Sequence, residues 1–254
     1  GIPIIESHSG LFSLPKNCLA YDDNDSTYLR CPSAYSVSNA NEDLPLPDTP
    51  VTTVRVFKSN LSDMFLRLLK NCISSICKNG GSEKYNAYIL HKDLTDDDKE
   101  YLQSTLPQIV SLEFIEVPED MFMDFPTTKR YPEQIYFRLA APYLLPKHLD
   151  RILYLDVDIV VINSLLPLYQ SAFEENWFMG CTNTKVFLTK LNQIRLGIDV
   201  EKDVPYINTG VLMMNLPLLR EKVKLEDIRG FAEKRKNLLI LPDQDILTAL
   251  YGEH

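Results

Sequence analysis

Hydrophobic positions along the chain alternate between strand-like and helix-like spacing. The β-branched segment VTTVRVF from Val51 precedes apolar residues spaced three and four apart from Leu61 to Ile76, and Asn79-Gly80-Gly81 ends that pattern. This order predicts a strand, an amphipathic helix and its C-cap. A strand (YNAYILH), a helix over residues 95–106 and a third strand (IVSLEFIEV) follow. Such alternation indicates an α/β domain whose largely parallel sheet binds ligands beyond the carboxyl ends of its strands.

The second half of the chain continues this alternation. A helix is expected from Tyr131 to Leu145, and the most apolar strand, RILYL from Arg151, leads directly into Asp156-Val157-Asp158. Further along, the sequence predicts a strand at 177–182, a helix through Arg195, a strand–turn–strand over YINTGVLMMNL, a charged helix near 224–236 and a final helix from Asp243. We therefore expect one α/β domain over residues 51–254.

Residues 1–50 differ in amino-acid composition from the rest of the chain. They contain six of the 16 prolines, and seven acids against two bases. This composition predicts an irregular acidic N-terminal arm.

Composition and charge narrow the function classes. The 254 residues are 45% hydrophobic and 24% charged, which is ordinary for a globular domain. The net charge of −9 disfavours nucleic acid as a partner.

No apolar run is long enough for a membrane span, and the first residues do not resemble a secretory signal, so a cytoplasmic location is expected. The nine glycines form neither a GxGxxG nor a P-loop motif, and the five cysteines contain no CxxC pair, which favours reduced core residues.

The chain contains four Asp-x-Asp pairs, at 23/25, 96/98, 156/158 and 243/245. The first lies in the acidic arm, and the second suits a first helical turn, where the helix dipole stabilises acids. Asp156 and Asp158 instead follow a strand expected to be buried on both faces, where unpaired carboxylates are costly unless a cation binds them. Because residues two apart share one side of an extended chain, both can bind a single Mn²⁺ or Mg²⁺. The alternative is neutralisation by a nearby Arg or Lys.

Several motifs occur together in one order: YPEQIYFRLAAPYLLPKHL, RILYLDVDIVVINSLLPLY, YINTGVLMMNL and LPDQDILTALYG. In this order and spacing they resemble glycosyltransferase family 8, the retaining nucleotide-sugar transferases that include glycogenin and bacterial lipopolysaccharide galactosyl- and glucosyltransferases. The resemblance covers about residues 51–252. It implies a GT-A fold, a single Rossmann-like α/β domain with a mixed, mainly parallel sheet, and a metal-bound UDP-sugar donor.

The resemblance also implies roles for individual residues. Asp156 and Asp158 would bind the metal, and Asp156 and Val157 would lie near the donor. Gln244 would lie beneath the anomeric carbon, with Asp243 at the sugar hydroxyls. Further donor or acceptor contacts would come from Arg138, Asn183, Asn208, Thr209 and Gly210, although relatives often have Asp where this chain has Asn183.

Each of these residues also has an interpretation without function. Arg138 could form a surface salt bridge on a helix. Asn208, Thr209 and Gly210 could form a turn or bulge. Asp243 and Asp245 could cap the final helix.

Two regions depart from the family pattern. After the first strand, the family's acidic turn for uracil and ribose is replaced by KSNLSDMF, which leaves Asp63 as the nearest candidate. The segment AYDDNDSTYL in the arm resembles that turn more closely, but the strand at Val51 is followed by the better helix and is preferred as the opening of the fold. The sequence given ends at His254, before the family's C-terminal H-x-G-x-x-K-P-W motif, which would add a metal ligand and a lysine for the diphosphate.

The resulting prediction is a metal-dependent retaining hexosyltransferase that moves glucose or galactose from a UDP-sugar to a saccharide or glycolipid acceptor, in bacterial cell-surface glycan synthesis. Peripheral contact with the inner membrane face is compatible with this prediction. One alternative is a HAD-type phosphatase with Asp156 as nucleophile. The other is a degenerate member that binds nucleotide or glycan without catalysis.

Overall fold

A computed structural model describes residues 19–23, 26–30, 51–55, 62–128, 131–182, 186–202 and 204–254. Its strands are β1 (Leu19–Asp23), β2 (Ser26–Arg30), β3 (Val51–Arg55), β4 (Tyr85–His91), β5 (Val110–Glu116), β6 (Arg151–Leu155), β7 (Val160–Val161), β8 (Phe178–Thr182) and β9 (Ile207–Asn215). Its α-helices are α1 (Ser62–Asn79), α2 (Asp96–Thr105), α3 (Phe137–Leu144), α4 (Leu166–Tyr169), α5 (Val186–Leu196), α6 (Leu216–Lys222), α7 (Leu225–Arg235) and α8 (Pro242–Tyr251). A 3₁₀ turn, Glu133–Tyr136, leads into α3.

The main sheet has the strand order β5-β4-β3-β6-β9-β8. Strands β5, β4, β3 and β6 are parallel, and β9 runs antiparallel to both β6 and β8. Strand β3 at Val51 therefore lies inside the sheet, between β4 and β6, which confirms it as the opening strand. The mixed, mainly parallel sheet predicted from the sequence is also confirmed. Its strand β6 delivers Asp156 to the carboxyl edge, where α/β folds bind ligands.

Buried side chains form a hydrophobic core on each face of this sheet. Along β6, Ile152 and Tyr154 belong to the cluster that includes residues of α3, α6, α7 and α8, whereas Leu153 and Leu155 belong to the cluster that includes residues of α1 and α4. Successive side chains of a strand point to opposite faces, so a strand covered on both sides is apolar throughout. This explains the continuous apolar run RILYL.

Local chemistry explains where two of the helices begin or end. The Thr95 side chain accepts a hydrogen bond from the Asp98 amide, and the Asp98 carboxylate accepts one from the Thr95 amide, which forms a capping box at the start of α2. After α1 ends, Gly81 adopts φ +87°, a conformation that favours glycine. No helix in the described part of the chain is long and apolar enough to cross a bilayer.

The short helices α4 and α6 were not predicted from the sequence, and two further differences concern strands. Within the arm predicted to be irregular, β1 and β2 form an antiparallel hairpin that continues into a parallel pairing with β7. The prediction missed it because two five-residue strands separated by two polar residues carry little periodicity. The strand–turn–strand over residues 206–216 was wrong: β9 is one continuous strand, and the irregularity there is a register shift against β8 between Gly180 and Thr182.

Candidate active site

The Arg138 side chain in α3 joins three segments that are far apart in the sequence. Only 2% of this side chain is exposed. Its Nη2 donates to Asp156 Oδ1 at 2.9 Å and to Oδ2 at 3.3 Å, and its Nε lies 2.9 Å from Asp243 Oδ2. Its Nη1 donates to the carbonyl of Thr209. One buried guanidinium thus connects the Asp-x-Asp pair after β6, the Asn-Thr-Gly segment of β9 and the first turn of α8.

Contacts between β9 and its neighbours complete this cluster. Thr209 Oγ1 donates to Asp243 Oδ2 at 2.8 Å, and the Asp156 amide donates to the Gly210 carbonyl at 2.9 Å. The Gly210 amide donates to Asn208 Oδ1 at 2.9 Å. A Cβ at Gly210 would lie 3.2 Å from Asp156 Oδ2, so glycine leaves room for that carboxylate. The register shift between β8 and β9 falls at these three residues, in agreement with the bulge interpretation, and Thr209 and Gly210 also contact Arg138, Asp243 and Asp156.

The Arg138 guanidinium also stacks on an aromatic ring. Its carbon lies 4.8 Å from the centre of the Tyr154 ring, and the Tyr154 hydroxyl donates to Asp156 Oδ1 at 3.1 Å. Burial alone would lower the pKa of Arg138, but the charges of Asp156 and Asp243 raise it overall. Arg138 is therefore a permanently charged centre of the site, and its interpretation as a surface helix residue is wrong.

Gln244 follows Asp243 in the first turn of α8 and is half-buried. Its Oε1 is buried and makes no hydrogen bond within the described part of the chain. Leaving a buried carbonyl oxygen without a donor costs about 1–3 kcal/mol, so such an atom in a cluster of polar residues is a candidate ligand contact.

Asp245 forms a second buried cluster on α8 and is 0% exposed. Its carboxylate accepts hydrogen bonds from both Nη atoms of Arg195, at 2.6 and 2.8 Å, and from the Tyr206 hydroxyl at 2.7 Å. The Ile240 and Leu241 amides donate to its Oδ2 at 2.7 and 3.1 Å. Asp245 thus holds the loop that precedes α8.

The capping interpretation holds for Asp245, whose carboxylate accepts from the backbone amide of the N-cap residue Leu241, whereas the Asp243 carboxylate contacts side chains of other elements. Asp243 binds Arg138 and Thr209, and Asp245 binds Arg195 and Tyr206. The sequence analysis missed Tyr154, Arg195 and Tyr206 as site residues. Nothing in their local pattern marks them, because their partners lie on other strands and helices.

The Tyr206 hydroxyl gives the fold a measurable sensitivity to alkaline pH. Burial, and then the charge of Asp245, raises the pKa of Tyr206 above its ordinary value of about 10. The contribution of the protonated Tyr206 hydroxyl to stability is complete below about pH 10. It is lost as the pH rises further, because this hydroxyl ionises at a lower pH in the unfolded chain than in the folded protein. Relative to Tyr206→Phe, the unmodified protein should lose about 1 kcal/mol of unfolding free energy between pH 10 and 11. Urea unfolding over this range measures the difference.

The control for this prediction is Tyr101→Phe, which changes a tyrosine that is 40% exposed. Its pH profile should match that of the unmodified protein. Equal profiles for Tyr206→Phe and the unmodified protein would contradict the predicted coupling.

The predicted divalent cation fits the donor set in part. Asp156 and Asp158 offer hard carboxylate oxygens, which suit Mn²⁺ or Mg²⁺. Asp158 is exposed, and Asp156 is already paired with Arg138, so their burial alone does not require a metal. Within the residues described, no group of three or more His, Cys, Asp or Glu side chains could hold a metal ion. Asp156 and Asp158 would therefore supply two ligands, and the others would come from outside the described residues.

The remaining predicted residues are placed as follows. Val157 is buried between the two aspartates of the pair. The side chain of Asp63, in the first turn of α1, and the whole of Asn183 lie outside the described residues. Cys72 is buried, Cys77 and Cys181 are half-buried, and none of these three forms a disulfide, whereas Cys18 and Cys31 lie outside the described residues.

Comparisons with known proteins agree with this geometry. A putative glycosyltransferase of Haemophilus influenzae is 28% identical over 181 residues, which cover 70% of this chain and 53% of that protein. A lipopolysaccharide 1,2-glucosyltransferase of Escherichia coli is 27% identical over 192 residues, which cover 72% of this chain and 54% of that protein. The chain thus spans about half the length of the curated relatives it matches.

A solved structure shares the fold. Galactosyltransferase LgtC, in complex with donor and acceptor sugar analogues, superposes with a TM-score of 0.68 at 23% identity, covering 80% of this chain and 70% of that one. The fold is therefore GT-A. The sequence model of glycosyl transferase family 8 matches residues 56–254, which include every segment of the Arg138 cluster. The chain belongs to glycosyl transferase family 8.

Proposed function

We propose that residues 51–254 form the catalytic domain of a retaining hexosyltransferase that moves glucose or galactose from a UDP-sugar to a saccharide or glycolipid acceptor. The observation that carries this proposal is the convergence of Asp156, Thr209 and Asp243 on the buried Arg138. The names of the Escherichia coli and LgtC relatives support a hexose donor and a role in cell-surface glycan synthesis. The HAD-type alternative is set aside, because the family match covers the strand that carries Asp156.

The charge of the cluster supports a requirement for metal. One guanidinium, that of Arg138, faces the two carboxylates of Asp156 and Asp243, which leaves one formal negative charge in this cluster. Two like charges about 4 Å apart repel by about 4 kcal/mol at an effective dielectric near 20, so a diphosphate would bind poorly here without a counter-charge. Asp156 and Asp158 would hold Mn²⁺ or Mg²⁺, which supplies electrostatic stabilisation of the departing diphosphate.

Arg138 acts chiefly by positioning in this proposal. Each of its three guanidinium nitrogens already contacts a protein oxygen, so it holds Asp156 at the metal and Asp243 at the sugar hydroxyls. Asn208, Thr209 and Gly210 form the wall of the donor site beside these carboxylates. Such fixed polar groups stabilise a transition state without reorganising during the reaction.

Retention of configuration is best explained by substitution on one face of the sugar. The acceptor hydroxyl forms the new bond to the anomeric carbon as the bond to the diphosphate breaks, and the hydroxyl proton passes to the departing β-phosphate. The buried, unpartnered Oε1 of Gln244 suits stabilisation of the positive charge that develops at that carbon. A covalent intermediate on Asp243 is less well supported, because its Oδ2 contacts both Arg138 and Thr209.

Calorimetric titration of UDP tests the donor site. With Mn²⁺ the chain should bind UDP, and with EDTA the binding should disappear. Asp158→Ala should weaken binding at least about a hundredfold, because it removes one of two protein ligands. The melting temperature should stay unchanged because Asp158 is exposed. The control is Asp150→Ala, an exposed aspartate just before the other end of β6, which should bind UDP normally.

A second measurement separates catalysis from binding. The chain should release UDP from UDP-glucose or UDP-galactose in the presence of Mn²⁺, and Gln244→Ala should slow that release while keeping UDP affinity. UDP binding without release from either donor would favour the degenerate binding member. No metal-dependent UDP binding at all would overturn the proposed donor site.

A further inference from the structure

An exposed apolar surface lies beside the helix that carries the Asp-Gln-Asp motif. We define it as the apolar patch, whose members are Leu188, Leu191 and Ile194 of α5 with Leu238 and Ile240 of the segment before α8. These side chains are 48%, 46%, 65%, 41% and 59% exposed, respectively. The three residues of α5 are spaced three apart, so they share one face of that helix. Single exposed apolar residues are ordinary on protein surfaces. Five of them on adjoining elements are typical of a surface that binds another protein or a membrane.

Direct contacts join the two halves of the apolar patch. Arg195, next to Ile194, donates from Nη1 to the Leu238 carbonyl at 2.5 Å, and Asp245 links Arg195 to the Ile240 amide. The end of α5 also lies against the end of α7, because a Cβ at Gly197 would be 2.2 Å from Arg235 Nη2. The end of α5 therefore lies beside both the end of α7 and the segment before α8, so the exposed apolar residues belong to neighbouring elements.

A basic run borders the apolar patch. The segment from Glu233 to Leu241 reads EKRKNLLIL, with three bases and one acid, in a chain whose net charge is −9. Lys234 and Lys236 are exposed, and only Asn237 separates Lys236 from Leu238. Cations next to exposed aliphatic side chains are the combination that binds an anionic bilayer, because the charges attract the headgroups while the apolar groups enter the acyl boundary.

A second copy of the chain fits this surface less well. A twofold dimer built on the patch would draw the basic runs of both copies toward the interface, where lysine is depleted relative to the rest of the protein surface. The charge pattern therefore favours an anionic lipid surface over self-association.

We propose that the apolar patch and Lys234, Arg235 and Lys236 dock this domain on an anionic phospholipid bilayer. The patch is linked through Asp245 to the helix that carries Asp243 and Gln244, so docking brings the candidate site to the membrane surface. If the proposed transferase function holds, this placement suits an acceptor whose saccharide is attached to a lipid.

Vesicle co-sedimentation without nucleotide tests the docking independently of the transferase function. The chain should sediment with vesicles that contain phosphatidylglycerol, much less with pure phosphatidylcholine, and should be released by added salt. Lys234→Gln with Lys236→Gln should weaken binding about thirtyfold. Leu191→Gln with Ile194→Gln should weaken it at least about tenfold. The matched control, Lys78→Gln with Lys84→Gln, changes two exposed lysines elsewhere and should bind as before.

The outcomes separate the competing explanations. All variants should keep metal-dependent UDP binding if the donor site is correct, so a failed donor site leaves the vesicle result interpretable. Absence of binding to anionic vesicles, or binding that none of the patch variants weakens, would overturn the proposal. Self-association in analytical ultracentrifugation that Leu191→Gln with Ile194→Gln abolishes, without vesicle binding, would assign the patch to a second copy instead.

Discussion

Arg138→Met is expected to lower the unfolding free energy by about 3–5 kcal/mol, because it leaves Asp156 and Asp243 without their buried counter-charge. The same change should abolish UDP binding, since both carboxylates lose the group that orients them. Arg138→Lys should also destabilise the protein, because a point charge on a flexible stem cannot reach Asp156, Asp243 and the Thr209 carbonyl together. Urea unfolding and UDP titration measure these effects.

Two further variants identify the physical cause. Arg67→Met, at an exposed position of α1, should change stability by no more than about 0.5 kcal/mol. Adding Asp156→Asn and Asp243→Asn to Arg138→Met should recover part of the lost stability, because the uncompensated charges are then gone. If the combined variant is no more stable than Arg138→Met, the loss comes from packing and the electrostatic account is wrong.

Arg195→Met is expected to cost about 3 kcal/mol of unfolding free energy, because Asp245 is fully buried and loses two charge-assisted hydrogen bonds. The Tyr206 hydroxyl and the Ile240 and Leu241 amides remain as donors, so the chain should still fold. UDP release should slow as well, since Asp243 and Gln244 belong to the same helical turn as Asp245. Denaturant unfolding and the donor assay report the two effects.

An exposed ion pair of the same length provides the contrast. Lys202 Nζ and Glu253 Oε1 are 2.6 Å apart, as are Arg195 Nη2 and Asp245 Oδ1, but both partners of the first pair are about half exposed. Lys202→Met should therefore leave the unfolding free energy almost unchanged. A double-mutant cycle of Arg195→Met with Asp245→Asn should give a coupling energy of about 2 kcal/mol. A coupling near zero would show that the two residues do not depend on one another.

Much of this protein can be read from its sequence because the signals are local. Apolar periodicity predicted the strands and helices of the main sheet, and Thr95 with Asp98 predicted the start of α2. The continuous apolar run before Asp156 identified a strand buried on both faces, and the order of the motifs identified the family. These features depend on neighbours within one element, so the order of residues contains them.

The tertiary structure decided what the local pattern left open. Asp243 and Asp245 look like helix caps in the sequence, yet each is buried against an arginine from another helix, Arg138 or Arg195. Residues 206–216 suggest a turn, yet residues 207–215 form the single strand β9, which pairs with β6 from Val211 to Asn215 and with β8 at Ile207. A buried charge takes its partner from whichever element packs against it, and a strand takes its hydrogen bonds from its neighbour. The sequence by itself therefore determined the elements and the family, and only the packing of distant segments decided which polar side chains form the site.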